Sequence, residues 1–210
     1  MRKLLLIPFL LICVFVHGQT EEIIPDNKSQ IKIVSSIEYK KIPFAMRMLK
    51  KQLPKENTNY YSNIGARQEV NMEIKMFGEH MTTSQTSVSN YTLGKKWSKQ
   101  LAIVNDSIMQ DDFQAKDIET PDNDDNNVVI GKETKEILGY PCVAFSVETD
   151  SAKIEGFLAP GILGHGKFKN HGMPLELKMT AKTEKLVTVT TAKSIDIEPL
   201  NSDLFKLEED

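Results

Sequence analysis

Val70, Met72, Ile74 and Met76 alternate with Glu69, Asn71, Glu73 and Lys75, so one parity is apolar and the other polar. A two-residue period of this kind marks a strand with one covered and one solvated face. Leu175, Leu177, Met179 and Ala181 repeat it against Glu176, Lys178, Thr180 and Lys182. Ile31, Ile33, Ile37 and Tyr39 share one parity, as do Val187, Val189, Thr191, Ile195 and Ile197, with Lys193 the exception. Residues 142–149 and 152–159 read as strands joined by a tight turn at Asp150-Ser151, and residues 82–93 and 97–104 flank a turn at Gly94-Lys95-Lys96. Strands linked by short turns, without a helix between each, imply an antiparallel meander rather than a parallel βαβ sheet.

One segment has a different period. Pro43 and Pro54 bracket residues 44–53, where Phe44, Ala45, Met48, Leu49 and Leu53 fall on one side of a helix and Arg47, Lys50 and Lys51 on the other. Proline is tolerated in a first helical turn and ends a helix at its far side, so the spacing predicts a short amphipathic helix.

The N-terminus sets the expected location. Met1-Arg2-Lys3 is followed by an apolar run over residues 4–16 and by Val16-His17-Gly18. A positive start, an apolar run short of a bilayer span and a small residue at its end read as a secretory signal peptide cleaved near Gly18. Ile12 precedes Cys13 where a lipoprotein signal carries a small residue, so lipidation is not expected. The expected organisation is a signal peptide over 1–18, a flexible lead over 19–30 and one antiparallel-sheet domain over 31–210, with an acidic linker near 105–127. The protein is expected in the periplasm or outside the cell, with no stable transmembrane anchor.

Chemistry is sparse. The formal charge is −3, with no basic excess to suggest nucleic acid. Only Cys142 remains after cleavage, and Val143, Phe145 and Val147 around it suggest a small buried hydrophobe. His165 and His171 flank a glycine-bearing loop with Lys167 and Lys169, which reads as a solvated connection because their spacing fixes no metal geometry. Asp122, Asp124, Asn126 and Glu133 stand at positions 1, 3, 5 and 12 of a calcium-loop pattern, but Ile130 holds position 9. An acidic linker entering a strand at Val128 is the expected reading. No phosphate loop, nucleophile elbow or zinc-helix motif occurs, so no catalytic residue and no cofactor is expected.

Three short pieces carry a resemblance. Glu136-Ile137-Leu138-Gly139-Tyr140-Pro141-Cys142, Gly172-Met173-Pro174-Leu175-Glu176 and Asp203-Leu204-Phe205 after Ile195 and Ile197 stand in order over residues 130–208. Together they resemble strand starts and the closing strand of an exported Bacteroidota family, the domain of unknown function 4412. The chain departs from the family at Gly156-Phe157-Leu158, where relatives often carry Trp, and lacks the final Pro-containing tail. The resemblance implies a fold similar to envelope lipoprotein carriers (LolA-like). That fold is mainly β (α+β), a curved antiparallel sheet forming an unclosed barrel covered by one or two short helices. The 44–53 helix would fit such a cover.

The expectation for function is an exported, non-enzymatic envelope protein binding an apolar or lipid-like ligand, or a lipid-linked protein, on its covered sheet face. The alternative is a structural or interaction component with no small ligand. The candidate lining is Val70, Met72, Ile74 and Met76, then Leu175, Leu177 and Met179, with Phe44, Met48 and Leu49 from the cover. Three of the seven strand residues are Met, which adapts to irregular shapes. Oligomeric state is left open.

Overall fold

A computed structural model describes residues 25–76, 79–104, 107–110, 115–118, 128–183 and 186–206. The expected signal peptide lies outside these residues, as do Asp122, Asp124 and Asn126 of the calcium-like pattern. The side chains of Leu49, Ile74 and Met76 also fall outside them.

Among the described residues twelve strands form one sheet: β1 (Ser29–Lys41), β2 (Glu56–Tyr61), β3 (Gly65–Met76), β4 (Glu79–Asn90), β5 (Lys95–Val104), β6 (Ser107–Gln110), β7 (Lys116–Asp117), β8 (Val128–Ile137), β9 (Tyr140–Glu148), β10 (Ala152–Ala159), β11 (Met173–Ala181) and β12 (Val187–Pro199). The order across the sheet is β6-β5-β4-β3-β2-β1-β12-β11-β10-β9-β8, with β7 paired to β5. Two antiparallel meanders are therefore joined where the chain's first strand meets its last. The described part of the expected linker contributes β6 and β7 to the sheet.

The expected α+β architecture with a helical cover is corrected by the structure. The protein is nearly all β, its sheet does not close into a barrel, and β6 and β8 stand at opposite ends of the strand order. The segment expected as a cover helix forms a six-residue 3-10 turn, Phe44–Leu49. Phe44 is 83% exposed and Met48 88% exposed, so they cover nothing. Isolated helices of this length are marginal unless packing holds an apolar face, and Phe44 and Met48 of the expected face are left in solvent.

Packing concentrates on β1 and the second meander. Ile31 and Ile33 of β1 cluster with Cys142, Ala159, Ile162, Met173, Leu175 and Ala192. Phe145, Val147, Val128 and Leu158 form a second cluster, with Leu177 and Phe168 packed against it. Lys193, the break in the β12 alternation, sits at a bulge. Val34 pairs with Ser194 and Ser35 with Ala192, which leaves Lys193 as the extra residue. Its ammonium pairs with Glu56.

The C-terminal 3-10 turn, Ser202–Phe205, folds back on the first meander. Arg67 donates to the Leu204 carbonyl at 3.2 Å and Asn90 to the Phe205 carbonyl at 2.9 Å. Phe205 is fully buried.

Candidate functional site

Strand register fixes which residues share a face. Ile33 stands opposite Asn59, Asn59 opposite Gln68, Gln68 opposite Ser87, and Ser87 opposite Ser98. The next row runs Ser35, Asn57, Val70, Gln85, Gln100. Cross-strand partners point to the same side, so the face that carries Ile31 and Ile33 turns from apolar on β1 to amides and hydroxyls on β2–β5. Val70 and Met72 stand within this polar strip, each half-buried.

The expected lining thus falls in two places. Leu175 is fully packed in the first core cluster and Leu177 lies against the second, while Met179 is 38% exposed. Strand β3 is four steps from β11 in the sheet order, on the order of 19 Å at ordinary strand spacing. Met72 is one wall of an open groove of about 490 Å³ beside the 51–55 segment. Leu53, Asn57, Glu69, Asn71 and Glu73 also line it. Phe44 sits in another groove, of about 730 Å³, with Lys40, Lys41, Arg47 and Lys50. No described groove unites the β3 and β11 residues.

At the opposite end of the sheet, residues 160–172 supply a cover that periodicity did not reveal. This loop leaves β10 at Ala159, reenters at Met173, and buries Ile162. His165 from the loop stacks on Tyr61 of β2, with ring centroids 4.7 Å apart. Tyr91, in the β4–β5 turn, lies within 3.5 Å of the His165 Nδ1 through its hydroxyl. Burial holds the His165 imidazole down to about 4. Burial, aided by neighbouring Tyr91, pushes the Tyr61 phenol up to about 12. Both rings are therefore neutral near pH 7, which suits packing rather than proton transfer.

The expected solvated loop is thus a packed one. The available sequence signal was its glycine content. Gly172 has φ +116, and a Cβ there would stand 2.3 Å from the Ala159 carbonyl oxygen, a path that only glycine takes without strain.

Among the described residues no group of three or more His, Cys, Asp or Glu is arranged to hold a metal ion. Cys142 is buried and its thiol is pushed up by burial. Its Sγ donates to the Tyr140 carbonyl at 3.3 Å. Among the described residues no helix is long and apolar enough to cross a membrane.

No family model matches the sequence, and no curated protein matches it. Among solved structures, the chain is similar to PNGF-II at 16% identity and a TM-score of 0.42, over 85% of this chain and 30% of that one. The chain therefore spans less than a third of PNGF-II. A β-barrel-like protein of domain of unknown function DUF1849 from Brucella abortus is 7% identical, with a TM-score of 0.44 over 80% of this chain and 98% of that one. A domain described as an outer membrane lipoprotein-sorting protein, from Vibrio parahaemolyticus, is 10% identical, with a TM-score of 0.29 over 89% and 91% of the two chains. These TM-scores lie below 0.5 and carry no argument about what this chain binds. The family of domain of unknown function 4412 is not among these findings.

Proposed function

We propose that the protein is an exported, non-enzymatic envelope protein that holds an amphiphilic, lipid-like ligand against the β2–β3 part of its sheet. One observation carries this reading. Met72 is half-buried on the wall of an open groove, whereas Leu175, at an equivalent alternating position on β11, is packed into core. An apolar side chain left with space beside it, next to the polar lining residues Asn57, Glu69, Asn71 and Glu73, suits a ligand with an apolar chain and a polar head. Met adapts to chains of different shape. The signal-like N-terminus supports export, and the three motifs that resemble the domain of unknown function 4412 support an envelope setting.

The second reading is a structural component of the envelope with no small ligand. The amide and hydroxyl rows on β2–β5 favour it, because they could be satisfied by a protein partner. Native mass spectrometry after gentle purification separates the two. A co-purifying lipid mass supports the ligand reading, and a clean mass of the chain alone contradicts it. Intact mass of the exported protein reads the cleavage site in the same experiment, and an uncleaved N-terminus contradicts the export reading.

A further inference from the structure

We propose that the β1–β2 connection is a docking foot for an anionic lipid surface. The inference concerns a different part of the molecule from the groove at Met72 and stands apart from the ligand reading.

The sequence prepares the charge. Between Glu38 and Glu56 the chain carries Lys40, Lys41, Arg47, Lys50, Lys51 and Lys55 and no acidic residue, although its formal net charge is −3. The fold then sorts these cations. Lys40 is paired with Glu38, and Lys51 and Lys55 share a groove with Glu69 and Glu73. Lys41, Arg47 and Lys50 remain as exposed cations on a second groove at the end of the sheet, whose other described lining is uncharged apart from the paired Lys40. The same segment carries Phe44 and Met48, the most exposed large apolar residues among those described, and Phe44 lines this groove with the three cations. The Arg47 guanidinium lies 5.6 Å from the centre of the Phe44 ring, so charge and apolar surface form one patch.

Two apolar side chains bury far less than the roughly 800 Å² per partner that a stable protein interface needs. They are well matched to a bilayer boundary. A weak apolar anchor beside a basic cluster is the two-signal arrangement that gives reversible attachment to anionic lipid. Each cation close to such a surface adds an attraction that salt screens. In this arrangement Phe44 and Met48 enter the headgroup boundary while Lys41, Arg47 and Lys50 meet lipid phosphates. The Tyr61–His165 end of the sheet faces away.

The test is vesicle flotation with the exported protein as purified from cells, its N-terminus read by mass. Vesicles of phosphatidylglycerol with phosphatidylethanolamine are compared with vesicles of phosphatidylcholine alone. The wild type is expected to float with the anionic vesicles only, and added salt is expected to release it. Phe44→Ser with Met48→Ser, and separately Lys41→Glu with Lys50→Glu, should each weaken binding by about tenfold or more. All four side chains are exposed or peripheral, so both variants should keep the wild-type melting temperature. Met72→Trp should float like the wild type, which separates this inference from the ligand reading. Absence of wild-type binding to anionic vesicles, equal binding to phosphatidylcholine, or wild-type affinity in both double variants would overturn it.

Discussion

His165 and Tyr61 lie face to face, their ring planes 18° apart, although they come from the loop after β10 and from the end of β2. The stack fastens the 160–172 loop across β1 and β12, the two strands that join the meanders. A loop held by aromatic packing therefore occupies one end of the sheet, the role expected of a helix over residues 44–53. The His165 Nε2 is buried without a hydrogen-bond partner among the described residues.

Stability should depend on the charge of this ring. Burial lowers the folded-state value to about 4 from the usual 6.5, so the unfolded chain binds a proton that the native state excludes between those pH values. The neutral ring's contribution is complete above about pH 6.5 and is lost as pH falls towards 4. His165→Phe keeps the stack and removes both the proton site and the unpartnered nitrogen. Its melting temperature should match or exceed the wild type at pH 7.5 and fall less between pH 6.5 and 4. Parallel melting curves for the two proteins across that range would refute this reading.

Gly156 should be intolerant of any side chain. A Cβ there would lie 1.9 Å from the Glu176 carbonyl oxygen on β11, and backbone cannot swing aside as a flexible side chain can. Gly156→Ala should therefore cost about 1–3 kcal/mol or more, an overpacking penalty applied directly to the β10–β11 pairing. Urea melts read the loss. A midpoint equal to wild type would contradict the close approach of β10 and β11 at Gly156.

Cys142 should be inert in the native protein. Its Sγ sits in the core beside Ile137 and Met173, and burial raises its thiol above the ordinary value. A thiolate-selective reagent at pH 8 should label it only as fast as the protein unfolds, and fully in denaturant. Rapid stoichiometric labelling without denaturant would contradict the packing.

Phe44→Ser and Met48→Ser should each leave stability within about 0.5 kcal/mol of wild type, as expected for solvated side chains. A cover helix would instead lose about 2–5 kcal/mol on losing a large buried apolar group. Thermal melts of the two single variants distinguish the cases.

Much of the sheet is legible in the sequence because burial on one side imposes a two-residue period. Val70 to Met76, Leu175 to Ala181 and residues 152–159 all show it, and Ala152–Ala159 forms β10 with the same bounds. Even the misfit at Lys193 has a cause, the bulge opposite Val34 and Ser35. Strand β2 escapes such reading because its sequence, Glu56-Asn57-Thr58-Asn59-Tyr60-Tyr61, puts amides where an apolar parity would be sought. Residues 44–53 mislead for the opposite reason. They carry a helical period, but whether that face is buried depends on a packing partner, which local sequence does not contain. His165 was illegible as a packed ring because its partners, Tyr61 and Tyr91, lie far away in the chain.

The central claim is that Met72 borders space for an apolar chain. Displacement of a fluorescent fatty acid, measured on wild type and on Met72→Trp beside their melting curves, tests it most directly. The account predicts uptake by the wild type, and loss of uptake in Met72→Trp with stability changed by less than about 1 kcal/mol, because the indole fills open volume. A close-packed site would instead be destabilised by about 1–3 kcal/mol on the same change. Destabilisation of that size, together with no uptake by the wild type, would contradict the account.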